Sequence, residues 1–250
     1  ITQADLQGIR AYGSADMAET KAAVLERKMI RLKRSALMSK EYAKFYTLTR
    51  GKIWSPNGTV AHGSFYTDFG VTRKDVGFAL ATSTTDIVAK VEEIVAHIQD
   101  FSLSGDVYSG VVGLCSPGFF SAFIAHPKIS ESYKYYSSTA EPLRNRVGGN
   151  TTLYREFQFA GVLLREIRDG VNGAPFIPAD EAFFLPTGTQ DTFVSYAAPS
   201  AKLAFANTLG EDMYMFSYAD SKGEKEEIEL EFSEVHLLRR PQVVVRATKI

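Results

Sequence analysis

The residues best suited to nucleophilic chemistry in this sequence are Cys115, beside a predicted turn, and His126, which follows it. A thiol activated by a neighbouring imidazole is the usual pair in cysteine-dependent enzymes. Neither residue lies in a local pattern of such enzymes, whereas a lone cysteine at the end of an apolar run is typical of a small buried side chain. The spacing favours a structural Cys115, and a cysteine enzyme using Cys115 and His126 stays open as the alternative.

The remaining residues form no motif of a metal site or of a nucleotide-binding site. The four histidines form neither an H-E-x-x-H motif nor an H-x₃₋₅-H pair, and one cysteine cannot complete a zinc site. The glycines form no phosphate-binding loop, no dinucleotide-binding fingerprint and no G-x-S-x-G elbow. We therefore expect no metal, no cofactor and no catalytic residue.

Two charged blocks of opposite sign could bind partner subunits. The basic block surrounds a predicted helix, and an acidic block lies near residues 224–231. Ordinary solvated surface explains both blocks, and contact between subunits explains them too. Two arginines in a Ser/Gly/Asn-rich loop at 137–152 could likewise contact a neighbour. The candidate interface residues are Arg27, Arg31, Arg34, Arg144, Arg146, Glu227, Glu229 and Glu231.

Composition narrows the class of protein. The 250 residues carry 28 Lys plus Arg against 29 Asp plus Glu, a net charge of −1 that does not suggest a nucleic-acid binder. A hydrophobic content of 45% is ordinary for a globular protein. Because no apolar run approaches the length of a membrane-spanning helix, we expect no membrane association.

A long helix dominates the N-terminal part. Apolar and small side chains recur at alternating steps of three and four, which predicts a helix over 16–50, with Asp16 as its N-cap and Gly51 as its stop. The stripe consists of Ala18, Ala22, Leu25, Met29, Leu32, Ala36, Ser39, Ala43 and Tyr46. This is well above the usual helix length of about 11–12 residues, which favours a spine or part of an interface.

Further elements alternate between helix and strand. Asn57-Gly58 predicts a hairpin between Ile53-Trp54 and a strand over 60–69. Helices are expected over about 85–101 and from Pro117 onward, and strands over 107–114 and 154–167. The last third is rich in short strand patterns, at 182–185, 192–196, 213–219, 228–234 and 243–247. The absence of a βαβ rhythm predicts an α+β fold.

Four blocks in the C-terminal half carry a resemblance to a known family. They are residues 175–188 (PFIPADEAFFLPTG), 196–199 (YAAP), 207–210 (NTLG) and 239–248 (RRPQVVVRAT). Their order closely resembles the lambda-like phage major capsid protein family, phage major capsid protein E. The basic spine helix, the hairpin after it and the strand that leads into a Pro-Gly helix agree with that family, so the resemblance covers roughly 16–250.

The resemblance implies the tailed-phage capsid fold. A peripheral domain would comprise 16–106 and 205–250, with the spine helix and a long β-sheet, and an axial α+β domain would comprise 107–204. Members of the family carry an N-terminal arm and an extended loop before the spine helix, so residues 1–15 would be a remnant of one of these.

The resemblance also implies the function. The chain would be a structural major capsid subunit of a tailed bacteriophage or prophage, a virion protein assembled in the cytoplasm of the bacterial host. Copies would form pentamers and hexamers of an icosahedral shell around double-stranded DNA, which is enclosed without sequence-specific binding. Scaffold and decoration proteins are possible partners. Besides the cysteine enzyme, a tail component or an encapsulin-like shell protein is the alternative.

Overall fold

The computed structural model describes residues 1–7, 20–55, 61–102, 106–134, 154–171 and 173–250. Contacts divide the chain into two compact units. Unit 1 comprises 1–41 and 195–235, and unit 2 comprises 42–194 and 236–250. The long helix contributes to both, since its sequence crosses residue 41. These boundaries follow contacts within one chain, and the peripheral and axial domains stay a prediction.

Five helices lie in the described residues: α1 (Lys21–Arg50), α2 (Phe65–Asp68), α3 (Ile87–Phe101), α4 (Pro117–Ala125) and α5 (Pro127–Lys134). The spine helix α1 is confirmed over Lys21–Arg50, and its predicted beginning over 16–19 lies outside the described residues. Thr20 caps it, because its Oγ1 accepts a hydrogen bond from the Ala23 N–H at 3.3 Å. Asp16, the predicted cap, lies outside the described residues. Gly51 ends the helix as predicted, with φ +63°.

Helices α3 and α4 begin at side-chain caps. The Asp86 carboxylate accepts from the Ala89 N–H at 3.1 Å, and the Ser116 hydroxyl accepts from the Phe119 N–H at 3.4 Å. Pro117 occupies the first turn of α4, where its missing N–H costs nothing. The buried face of α3 consists of Ile87, Val91, Ile94 and Ile98. Both helices thus present apolar faces to the core of unit 2.

The strands are short. They are β1 (Ile53–Trp54), β2 (Ala61–His62), β3 (Asp75–Gly77), β4 (Gly110–Cys115), β5 (Glu156–Phe159), β6 (Val162–Glu166), β7 (Gly170–Val171), β8 (Ala174–Pro175), β9 (Glu181–Thr187), β10 (Phe193–Ala197), β11 (Tyr214–Ala219), β12 (Glu226–Glu231), β13 (Glu234–Leu238) and β14 (Val245–Thr248). Two-stranded pairs are β1–β2, β7–β8, β10–β13 and β11–β12.

The core of unit 2 is a six-stranded mixed sheet in the order β3-β14-β9-β4-β6-β5. Strand β9 is antiparallel to both β4 and β14, whereas β4–β6 and β3–β14 are parallel pairs. Side chains of α3 and α4 pack against it, and Phe119, Phe120 and Phe123 are fully buried. The predicted mixture of helix and short strands is confirmed.

Two strand predictions need correction. The segment 154–167 is two antiparallel strands, β5 and β6, joined by a tight turn in which Ala160 and Gly161 have φ +47° and +78°. The strand expected over 60–69 ends at His62, and α2 follows from Phe65. The hairpin itself is confirmed, since Ile53 pairs with His62, although its Asn57-Gly58 turn lies outside the described residues.

Candidate assembly surface

The interface arginines predicted on α1 share one exposed face. Arg27, Arg31 and Arg34 are four and three positions apart, the spacing that places side chains on one side of a helix. All three are exposed. Arg27 has an interaction partner, whereas Arg31 and Arg34 form no ion pair with any residue that the structure describes. Two cationic side chains therefore stand in solvent on the same face.

Large apolar side chains are exposed on this part of α1. Between residues 30 and 38 only Ala36 is buried. Ile30 is 45% exposed, and Leu37 and Met38 are each 48% exposed. Leu32, which lies on the predicted periodic stripe of the helix, is 38% exposed. We call the face formed by Arg27, Ile30, Arg31, Arg34, Leu37 and Met38 the mixed stripe.

The predicted interface glutamates lie on the β11–β12 hairpin. Cross-strand register places Glu231 opposite Tyr214, Glu229 opposite Phe216 and Glu227 opposite Tyr218, so all six side chains share a face. The rings of Tyr214 and Phe216 are stacked, with centroids 6.3 Å apart. An acidic row thus borders an aromatic row.

Two of these glutamates contact the preceding segment of the same chain. Glu231 accepts hydrogen bonds from the Ser200 hydroxyl at 2.6 Å and the Ala201 N–H at 3.1 Å, and these bonds lower the pKa of Glu231. Glu229 forms an ion pair with Lys202 at 2.6 Å. Their prediction as interface residues stays untested, but the structure gives them a role within the subunit.

The segment after Lys202 exposes two leucines that sequence reasoning missed. Lys202 Nζ lies 3.2 Å from the centre of the Phe216 ring, and Phe205 packs edge-on against Tyr214 at 5.0 Å. Leu203 and Leu209 nevertheless are 91% and 92% exposed. A usable signal was present, since both leucines lie in a segment rich in Ala, Asn and Gly with no helical or strand periodicity.

Two predicted residues, Arg31 and Glu227, line one groove in unit 1. The groove measures about 580 Å³ and lies between α1 and β12. Lys28 and Leu32 contribute on the helix side, and Ile228 on the strand side. The structure thus brings together two of the candidates, whereas Arg144 and Arg146 lie outside the described residues.

Lys40 forms a buried charge cluster in unit 1 that the sequence analysis did not identify. Its side chain is only 4% exposed, and Nζ lies 2.6 Å from Asp212 Oδ1 and 2.5 Å from Glu234 Oε1. Burial alone would lower the pKa of Lys40, but the two carboxylates outweigh it and hold the pKa above its ordinary value. The Phe232 ring lies 5.3 Å from the same ammonium.

The structure does not join Cys115 to His126. The Cys115 thiol, at the end of β4, contacts the Gly113 carbonyl at 3.5 Å, while His126 Nε2 lies 3.0 Å from the Thr82 carbonyl. Cys115 is fully buried, and burial raises the pKa of its thiol well above the ordinary value. A thiol held protonated is a poor nucleophile, so the arrangement supports the structural interpretation of Cys115.

The described ranges contain neither a metal site nor a membrane-spanning helix. No group of three or more His, Cys, Asp or Glu side chains there could hold a metal ion. Nor does a helix of the described chain have the length and apolar character needed to cross a membrane.

Comparison with known proteins gives one consistent relationship. A family model described as phage major capsid protein E matches residues 1–249. The chain is 43% identical to the major capsid protein of Pseudomonas phage KPP10, and 24% identical to that of Salmonella phage Felix O1 (isolate Felix O1-VT1). Each alignment covers 98% of this chain and 73% of the relative.

A solved structure supports the fold. The crystal structure of a prophage protein from E. coli CFT073, described as a capsid protein, aligns with a TM-score of 0.53 at 11% identity. It covers 97% of this chain and 73% of that one. This likeness shows that the long helix, mixed sheet and hairpins of this chain form the capsid fold. With the family model matching nearly every residue, the chain belongs to the phage major capsid protein E family.

Proposed function

We propose that copies of this chain associate into pentamers and hexamers that close an icosahedral shell around double-stranded DNA. The observation that carries the proposal is the stretch of α1 from residue 30 to 38, which the folded subunit leaves exposed together with the unpaired Arg31 and Arg34. A solvated helix has no reason to expose four large apolar side chains, whereas a surface that a neighbouring subunit covers does.

The charge of the chain suits a container for DNA. Binding to the phosphate backbone grows with the number of Lys and Arg contacts, and a net charge of −1 keeps that attraction weak. The DNA is thereby confined without being held. In this proposal, 107–204 forms the axial domain around the capsomer axis, and 16–106 with 205–250 forms the peripheral domain. Assembly takes place in the host cytoplasm.

The role is structural rather than enzymatic. Support comes from the buried, protonated Cys115 and from His126, whose Nε2 contacts a backbone carbonyl instead of the thiol. Arg27, Arg31, Arg34, Arg144, Arg146, Glu227, Glu229 and Glu231 remain the proposed interface residues. Among them Arg31, Arg34 and Glu227 have the strongest support, because they are exposed and form no ion pair within the described subunit.

Electron microscopy of the expressed protein tests the proposal. We expect closed icosahedral particles from the parent, and loss of most particles from Arg31→Glu/Arg34→Glu. The matched control is Lys44→Glu/Lys222→Glu. It makes the same change in net charge at two exposed lysines outside the mixed stripe, and it should still assemble. Tubes or small open rings from the parent protein would contradict the proposed shell.

A further inference from the structure

The segment 203–211 is held in place although its leucines face solvent. The Ser200 and Ala201 bonds to Glu231 and the Lys202–Glu229 ion pair fix its beginning to the β11–β12 hairpin. The edge-on contact of Phe205 with Tyr214 fixes its middle. The exposure of Leu203 and Leu209, at 91% and 92%, therefore belongs to an anchored surface rather than to a loose tail.

We infer that the 203–211 segment of one copy docks onto the mixed stripe of α1 in a second copy. The inference rests on the proposed function, since it names a contact through which copies would associate. The partner is a second copy of this chain because both surfaces expose large apolar side chains and carry charges of opposite sign. This contact also gives the exposed leucines a defined place in the assembly.

Apolar and charged groups are complementary between the two surfaces. Leu203 and Leu209 would pack against Ile30, Leu37 and Met38, all of which the subunit leaves exposed. Glu211, exposed at the end of the segment, would face Arg31 and Arg34 on the stripe. Opposite charges at the rim of an apolar contact fix its register more than its strength.

The two surfaces are exposed at the same time in one subunit, so they do not satisfy each other within the chain. Because they differ, each copy offers one of each, and the contact is heterologous. Repeating a heterologous contact by rotation closes rings, as a capsomer requires. An isologous contact would instead stop at a dimer.

Disulfide trapping tests this geometry. In Met38→Cys/Leu209→Cys, mild oxidation should give a ladder of covalent oligomers beyond the dimer, which reduction removes. Each single variant should give no ladder, as should Met38→Cys/Val107→Cys, in which the second cysteine replaces another exposed residue, Val107, at 82% exposure. The absence of a ladder from the first pair, or a ladder that stops at the dimer, would overturn the inference.

Removing the leucines gives a second measurement. Leu203→Ser/Leu209→Ser should keep the circular dichroism of the parent, since the side chains touch little within the subunit, but should lower the yield of particles at least tenfold. Val107→Ser is the control and should assemble normally. Full assembly of the double variant would sink the docking contact and leave the proposed shell standing. A ladder from Met38→Cys/Leu209→Cys, together with a parent protein that forms no closed shell, would leave the docking contact standing and sink the proposed shell.

Discussion

Lys40 Nζ lies 2.5 Å from Glu234 Oε1, at a point where both side chains are more than nine-tenths buried. The contact joins α1 to the start of β13, and Asp212 adds a second carboxylate from the segment before β11. Burial and the neighbouring Asp212 raise the pKa of Glu234, against the opposing effect of Lys40. One buried cation thus holds the two ends of the β11–β12 hairpin beside the helix.

Replacing Lys40 by Met should destabilise the protein by about 3 kcal/mol, because Glu234 is left in a buried site without its cation. The cost stays at the low end of the range for a broken buried pair, since Asp212 is 77% exposed and regains water. Urea unfolding measures the change. Lys44→Met, an exposed neighbour on α1, should shift the free energy of unfolding by no more than about 0.5 kcal/mol.

The fold should lose stability in acid partly through Glu166. This side chain is only 1% exposed, and Arg155 and Arg168 lie 2.8 and 2.7 Å from its Oε1. Burial would raise the pKa of Glu166, but the two guanidinium groups outweigh it and hold the pKa below its ordinary value. The unfolded chain therefore takes up the proton first as the pH falls, so this stabilisation is present at neutral pH and lost in acid.

The check is the melting temperature between about pH 3 and pH 7, compared for the parent and Glu166→Gln. The variant should melt at a lower temperature at neutral pH, and the gap should narrow as the pH falls through the titration of Glu166. Glu92→Gln, on the exposed side of α3, should follow the parent. A gap that stays constant with pH would show that Glu166 stabilises through packing alone.

Gly51→Ala should be more costly than Gly70→Ala, although both glycines have φ +63°. An added Cβ at Gly51 would lie 2.2 Å from Tyr66 Cε2, whereas the space beside Gly70 is open. Both variants carry the left-handed strain of about 1–2 kcal/mol, and the contact with Tyr66 adds about 1–3 kcal/mol at Gly51 alone. Thermal unfolding of the two variants isolates the steric part, and equal losses would contradict it.

Cys115 should resist thiol reagents in the native protein. Its side chain is fully buried with a raised thiol pKa, so little thiolate forms at neutral pH. Ellman's reagent should react within minutes in urea and at least a hundredfold more slowly without it. Cys115→Ala should still give particles in the microscope, and rapid native labelling together with failed assembly would revive a reactive role for this residue.

Local signals made some elements of the fold predictable. Asp86 and Ser116-Pro117 are caps whose chemistry acts within one helical turn, so the starts of α3 and α4 could be placed within two residues. The stop of α1 at Gly51 is equally local. The α+β class also followed, because it depends only on which patterns occur and in what order.

Other features depend on long-range contacts. The Ala160-Gly161 turn bends because β5 and β6 pair, and a single apolar pattern runs through both strands. Leu32 fits the periodic stripe of α1 by spacing, yet it is 38% exposed, because the described residues do not cover it. Lys40 is buried because of carboxylates more than 170 positions away in the sequence, which periodicity alone cannot reveal.

The candidate interface was predictable in type but not in detail. Charge spacing identified Arg31, Arg34 and Glu227 as exposed candidates, and the structure places Arg31 and Glu227 on one groove. Charge spacing could not distinguish Glu227 from Glu229 and Glu231, which contact their own chain. The lack of periodicity around Leu203 and Leu209 was a usable signal, but the extent of their exposure is a property of the folded surface.

The six-stranded sheet cannot be completed until β14, near the C-terminal end of the sequence, has been synthesised. This strand lies between β3 and β9 in the sheet, yet Arg246 and Asp75, which are paired across it, are 171 positions apart. At about 5–20 residues per second, a ribosome takes roughly 10 to 30 s to deliver β14 after β3 has emerged. During that interval β3 has an edge without its final partner, and so does β9 once it has been synthesised. Neighbouring nascent chains on one messenger RNA could pair wrongly through these open strand edges. Chaperones that cover the edges would therefore act chiefly in this interval.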